Sequence, residues 1–367
     1  MRTLDTIIIG AGQAGLAAGY HLRQAGLRFL MLDAGKVGDT WTNRWDSLRL
    51  FTPVRYNNLP GMRFPGKPYD FPNRDQVATY FRDYVAEFAL PVREQSSVTA
   101  LRRQSEQFVI TLRSGEVLIA RSVIIATGAN QRPSIPGMAS RLDPRIVQLH
   151  SSDYRRPAQL PPGRVMVVGA GNSGAQIAIE LAGSGRDTLL AGRDTGAVPR
   201  RLLGRDIFDW TWHTLLRTST DSERGRKRLQ ARRFAGDPLV GTPHTVFTDA
   251  GVTRIGRVAA VRAGMPMLED GSSVGDLSAV VWCTGFRPDY SWAELPVFGL
   301  DGYPRHQRGV AIDLPGLAFV GMRYQYRARS ALIGGVAEDA AHVVSRIVAQ
   351  LSEQPAIPAT ALQMNGA

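Results

Sequence analysis

The chain has 367 residues, of which 44% are hydrophobic and 21% charged, too long for one ordinary domain and well supplied for two cores. No run approaches the ~18 uninterrupted apolar residues of a membrane-spanning helix, and a single cysteine, Cys283, excludes disulfide frameworks, cysteine-rich metal sites and a redox-active cysteine pair. The formal net charge of +12 rests almost wholly on arginines spread along the chain, with only Lys36, Lys67 and Lys227 as lysines; no motif that reads nucleic acid accompanies them, so the charge points to phosphate affinity rather than to a nucleic-acid partner.

The opening MRTLDTIIIG has too short an apolar core for a secretory signal and reads as a first strand over 6–9. With the lone cysteine, this fits a cytoplasmic protein. A helix over 13–24 and a strand over 28–32, ended by Asp33, complete a βαβ start. Asn73 stands where an N-cap belongs, ahead of the amphipathic stretch RDQVATYFRDYVAEFAL. QFVITLR (107–113) and GEVLIA (115–120) read as a hairpin, and SVIIATG (122–128) as a separate buried strand. The proline-rich 155–163 reads as a linker, after which the pattern restarts with RVMVV, a helix from Asn172 and DTLLAG, and closes at AVVWCTGF (279–286). The basic run RGRKRLQARR (224–233) is expected to be a solvated helix face. A strand in LAFVG (317–321), a helix from about Ser330 to Leu351 and a patternless, frayed tail end the chain. The fold class is therefore α/β with two Rossmann-like dinucleotide-binding domains. The second domain (155–285) is inserted in the first (1–154 and 286–367).

Two glycine turns carry the chemistry. In GAGQAG, Gly10 permits the tight turn, Gly12 lets the backbone approach a pyrophosphate, and Gly15 lets the helix pack on the strand. The helix N-terminus at Gln13 and Ala14 offers free N–H groups to phosphate. Asp33 is placed to accept hydrogen bonds from a ribose diol and to repel a 2′-phosphate. GAGNSG repeats the cradle with Gly169, Gly171, Asn172, Ser173 and Gly174. Counting from Gly169 as from Gly10, however, the place of Asp33 falls on Gly192, followed by Arg193. A carboxylate exchanged for a guanidinium is expected when the ligand carries a 2′-phosphate, with Arg200 and Arg201 in reach to assist. The first site then suits FAD and the second NADPH. With no cysteine pair to receive the electrons, the acceptor is external, and dioxygen is the obvious candidate.

These motifs, with GDTWTNRWDSLRLFTP (38–53), ATG (126–128), HSSDY (150–154), CTGFRPDYSW (283–292) and SALIGGV (330–336), resemble the flavin-dependent monooxygenases with two dinucleotide-binding domains, plant auxin-forming members among them, over nearly the whole chain. The resemblance implies FAD contacts at Thr40, Trp41, Val98, Thr127, Gly128, Thr284, Gly285, Ser330 and Ala331, with Phe51 and Thr52 where the chain passes the isoalloxazine. Some animal-type members have an active-site Asn near there; the nearest candidates are Thr52, Asn57 and Asn58. The family's linker motif, Phe-x-Gly-x-x-x-His-x-x-x-Tyr, is half matched: Pro144 and Ile146 replace its first half, while His150 and Tyr154 are kept. Tyr154 and Arg155 stand where Baeyer–Villiger members have Trp-Pro, which favours oxygenation at N or S over ketone insertion. The implied activity is NADPH-dependent oxygenation of a small molecule by O2 through a C4a-(hydro)peroxyflavin. An NADPH oxidase or diaphorase releasing H2O2 is the alternative within the class; a nucleotide-binding regulator or nucleic-acid-associated protein is the alternative outside it.

His150, without a metal-ligand cluster around it, reads as an interdomain structural residue, and Cys283 as a packed small hydrophobe. The segment GRDIFDWTWHTLLR (204–217) lines a substrate entrance, touches a membrane surface, or is an ordinary amphipathic core helix. A homodimer is compatible with the sequence.

Overall fold

The computed structural model describes residues 4–232 and 237–353. The end of the basic run at Arg233 and the tail beyond Glu353 lie outside these residues. Two sheets organise the chain. The first has, in spatial order, His306–Gln307, Val310–Ala311, Leu317–Phe319, Val117–Ile125, Leu4–Ile9, Phe29–Leu32 and Val92–Arg93. The run from Leu317–Phe319 to Val92–Arg93 is parallel. Helices Gln13–Gln24 and Ala337–Glu353 pack together on one face of it. The second sheet is wholly parallel, in the order Val252–Ile255, Thr188–Ala191, Arg164–Val168, Leu277–Trp282, Val147–His150. It therefore takes in a strand upstream of the 155–163 linker.

The chain crosses between the two sheets twice. At the crossings, Arg132–Pro133 and Phe286–Arg287 run antiparallel and pair with each other.

Three elements differ from the sequence reading, each for a physical reason. The stretches 115–120 and 122–128 form one strand, Val117–Ile125. The polar Ser122 does not interrupt it, because its buried hydroxyl donates to Asp5 O at 2.8 Å and accepts from Thr6 Oγ1 at 2.8 Å. The last helix begins at Ala337, not near Ser330. Before it, Gly334 and Gly335 sit so close to the carbonyls of Tyr56 and Arg329 that a Cβ would collide with them. Ser330 bends the chain by accepting from Arg327 N (2.8 Å) and Tyr326 N (3.2 Å). The 204–217 segment is not one amphipathic helix but a short helix, Ile207–Thr211, and a 3₁₀ turn, Leu215–Arg217. Asp206 caps the short helix through Phe208 N at 3.0 Å. Phe208 and Trp212 are buried against Tyr56, while Trp210 and Leu215 are exposed. Beyond these three, a fourth element, the strand Val98–Gln104 pairing with Gln107–Leu112, has no counterpart in the sequence reading. The basic run forms Glu223–Arg232 with Arg224, Arg226 and Lys227 exposed, and no helix among the described residues is long and apolar enough to cross a membrane.

Asp339, in the first turn of the last helix, is 2% exposed, and its Oδ2 has no hydrogen-bond partner among the described residues. Burial pushes its carboxyl up to about 6, although Ser330 and the guanidinium groups of Arg327, Arg308 and Arg329 pull the other way. Because the unfolded carboxyl ionises near its ordinary value and the native one only near 6, stability falls as pH rises between those values and stays lowered above. That difference is worth on the order of 3 kcal/mol. Asp339→Asn is expected to gain thermal stability relative to the parent as pH goes from 4 to 7, measured by differential scanning calorimetry; a pH-independent difference would contradict this.

Candidate functional site

At the first turn, Gly10 has φ +107°, where L-residues are strained, and Gly15 lies so close to Gly10 O that a Cβ would overlap it. Gly12 caps Gln13–Gln24 in extended conformation with no side chain over the first N–H groups, and nothing lies within 4 Å of where its Cβ would be. The open space and bare helix N-terminus are what a pyrophosphate needs. Asp33 is fixed at the strand end by Ala11 N (2.7 Å to Oδ2) and Gly35 N (2.9 Å to Oδ1). Burial raises its pKa, opposed by those two N–H groups. Each oxygen retains acceptor capacity for a ribose hydroxyl.

The second turn is a near copy. Gly169 has φ +109°, Gly174 presses on Gly169 O, and Gly171 faces open space at the uncapped start of Asn172–Gly183. The counterpart of Asp33 is where the copies part. Gly192 has φ +148°, and a Cβ there would lie 3.0 Å from Ala170 N. A carboxylate residue in that position would strain the backbone and crowd the turn, so the ribose acid has no place. Arg193 is exposed just beyond. Asp194 turns to His244 Nε2 (3.0 Å) and Gly196 N (2.8 Å), and the bond from His244 holds its carboxyl below the usual range. Arg200 is committed elsewhere, donating to Phe51 O and stacking over the Phe71 ring.

One cavity of about 820 Å³ joins the two cradles. Gly10, Gly12, Gln13, Ala14 and Asp33 line one end, and Asn172, Ser173 and Gln176 come from the second helix. Between them stand Thr40, Trp41, Phe51 and Thr52, with Val98, Thr127, Gly128 and Ala331 on other walls. Gly15, Gly169, Gly171, Gly174, Arg193, Thr284, Gly285 and Ser330 do not line it. Four of these are turn glycines or lie beneath the turns; the Thr284 hydroxyl donates to Ser134 O (2.5 Å), and Ser330 braces its own loop.

Thr52 and Asn57 are both buried and adjoin this cavity. Thr52 Oγ1 donates to Asn57 Oδ1 at 2.8 Å, and Asn57 Nδ2 donates to Thr52 O (3.0 Å) and Pro53 O (2.9 Å). The Asn57 amide is thereby consumed in holding the loop, whereas the Thr52 hydroxyl keeps lone pairs for a ligand. Asn58 instead holds Phe64 N and Arg55 O.

The half-kept linker motif is structural. His150 Nε2 donates to Gly285 O at 3.0 Å and Nδ1 accepts from Ser152 N at 3.1 Å; burial lowers its pKa, so the ring is neutral. Tyr154 OH donates to Glu180 Oε2 at 2.8 Å. Cys283 has its thiol pushed up by burial, and its Cβ packs near Gly174. Sequence reasoning missed Gln131, whose Nε2 donates to Thr127 Oγ1 (2.8 Å) and Gly128 O (2.7 Å) while its Oε1 accepts from Asp289 N (2.7 Å). It also missed Ser96, Ser97 and Trp292 in the cavity wall. A lone amide or serine outside any motif gave no signal.

Two dinucleotide cradles opening on one cavity, with a single, half-buried cysteine, define a two-cofactor flavoprotein oxidoreductase. The chain belongs to the pyridine nucleotide-disulphide oxidoreductase family, whose model matches residues 7–215. It is 39% identical over 349 residues to an uncharacterized CzcO-like oxidoreductase of Geobacillus kaustophilus, covering 94% of this chain and 98% of the other. It is 32% identical over 207 residues to an indole-3-pyruvate monooxygenase of Oryza sativa subsp. japonica, covering 55% of this chain and 51% of that one. Among solved structures, a flavin-containing monooxygenase from Stenotrophomonas maltophilia matches with TM-score 0.77 and 28% identity, over 95% of this chain and 99% of that one. The chain is thus an FAD-dependent oxidoreductase of the flavin monooxygenase type.

The open space at Gly12 yields a clean test. Gly12→Ala should keep the thermal midpoint within about 2 °C, because nothing meets the added methyl, yet lose bound flavin, read as the flavin-to-protein absorbance ratio. Gly15→Ala, which collides with Gly10 O, should lose stability and flavin together.

Proposed function

We propose that this chain is an NADPH-dependent flavin monooxygenase that oxygenates a small organic substrate with O2, at a nitrogen or sulfur centre in preference to Baeyer–Villiger insertion. The observation that carries the reading is the single cavity from the Gly10–Ala14 turn to Asn172 and Ser173. It gives nicotinamide and flavin one shared enclosure and leaves no thiol pair to draw the electrons away. Bound FAD and NADPH supply hydride transfer and the activation of O2.

The chain's own residues do the remaining work. The bare helix starts at Gly12 and Gly171 hold pyrophosphates, and Asp33 takes the ribose diol of FAD. Arg193 takes the 2′-phosphate, with Asp194 drawn off by His244. Trp41, Phe51 and Thr52 wall the reacting centre from water. The FAD site falls in residues 1–154 and 286–367 and the NADPH site in 155–285, with Val147–His150 lent to the second sheet. Tyr154 and Arg155 in place of Trp-Pro favour heteroatom oxygenation. The rice relative's indole-3-pyruvate makes aryl 2-oxo acids a further class to screen.

Under ¹⁸O2, NADPH oxidation with amines, thioethers, ketones and 2-oxo acids should yield product carrying one labelled oxygen by mass spectrometry. Hydrogen peroxide equal to the NADPH consumed with every substrate would make the protein an oxidase. Arg193→Ala should raise the KM for NADPH roughly tenfold or more, the loss of a charged hydrogen bond, and leave that for NADH nearly unchanged. Equal effects on both would remove the 2′-phosphate assignment.

A further inference from the structure

The segment 45–52 lines the cavity at Trp45 and from Leu48 to Thr52, and its backbone is held alternately by the two units. From the second unit, Arg155 O accepts from Asp46 N at 2.8 Å. Gln176 reads both backbone groups of Arg49, with Nε2 donating to Arg49 O at 2.9 Å and Oε1 accepting from Arg49 N at 3.2 Å. Arg200 donates to Phe51 O through both terminal nitrogens, each at 2.7 Å, while its guanidinium lies 3.9 Å over the Phe71 ring and 3.4 Å from Asp206 Oδ2. From the first unit, Pro72 O takes Leu50 N at 2.8 Å, and Asn57 takes the Thr52 hydroxyl. Trp45 and Leu48 are buried in the second unit's core beside Ala170 and Ala175. Gln176 stands one turn beyond Asn172 and Ser173 on the same helix, and all three line the cavity.

We infer that Gln176 and Arg200 are positioning residues for the oxygenation. They fix the Phe51–Thr52 wall from the nucleotide-binding unit, so that wall and second cradle keep register during turnover. Neither would touch the reacting atoms; Gln176 acts through both backbone groups of Arg49 and Arg200 through Phe51 O. What they set is the fraction of NADPH electrons that reaches product instead of escaping as peroxide, because a displaced wall admits water. The inference rests on the monooxygenase reading.

The test uses FAD-loaded Gln176→Leu, which loses both bonds to Arg49, and Arg200→Lys, which keeps the charge but not the paired donation to Phe51 O. Arg102→Ala, removing a surface pair with Glu294, is the control for loss of an arginine. Peroxide released per NADPH oxidised should rise roughly threefold or more in both variants, as expected for one lost hydrogen bond, and stay at the parental value in the control. The visible circular dichroism of the bound flavin should shift in both. Unchanged peroxide yield in both variants overturns the assignment. Should the parent form no oxygenated product, the monooxygenase reading fails, and the flavin dichroism alone decides the brace: an unchanged spectrum in both variants overturns it.

Discussion

At each nucleotide turn, a glycine in the first helical turn rests against the carbonyl of the glycine that ends the strand. Gly15 presses on Gly10 O and Gly174 on Gly169 O, in both cases closer than any side chain allows. This contact places the start of a helix directly over the end of a strand, with its N–H groups uncapped and pointing at whatever lies between. The rest of the molecule is arranged to serve that placement twice. Ala126 O and Cys283 O close beneath Gly10 and Gly169, so the ATG and CTG segments are the floors of the two turns, not separate contacts. Of the residues that follow these floors, Thr127 and Gly128 line the cavity and Thr284 and Gly285 do not.

The sequence made the cradles legible because their constraint is local: strand, glycines and helix follow each other within a few residues. The offset that separates Asp33 from Gly192 was equally readable, and the geometry adds that no carboxylate residue fits where Gly192 folds over Ala170. What could not be read depends on distant partners. Gln131 and Gln176 belong to no motif and matter through the backbone groups that folding brings to them. Asn57 had the right residue type near the flavin segment, but its amide is consumed by Thr52 and Pro53, which only the loop's path reveals. The stretches 115–120 and 122–128 read as separate strands because Thr6, the hydroxyl partner of Ser122 within the continuous strand, is remote in sequence.

The excess of arginine has an unexpected structural use. The composition points to phosphate, yet many of the guanidinium groups are bonded to backbone carbonyls in loops. Arg186 gathers Pro157, Leu160 and Pro161; Arg305 takes Pro296 and Phe298; Arg329 reaches Trp212; Arg155 takes Ser152 and Tyr154. A planar, permanently charged donor with five N–H groups can close several carbonyls at once, which a lysine cannot. In a chain with long irregular connections, this satisfies loop carbonyls that no strand or helix reaches.

The two passages between the sheets, Arg132–Pro133 and Phe286–Arg287, are hydrogen-bonded side by side instead of running separately. Two independent tethers would let the units swing, slide or splay. Here the two passages form one paired ribbon, and the units are also joined away from it, where Trp45 and Leu48 pack in the second unit's core and Arg200 donates to Phe51 O. His150, fastened to Gly285 at the foot of the ribbon, ties the strand Val147–His150 to the same crossing. The two units are thus fastened at two separate places, the ribbon and the segment 45–52.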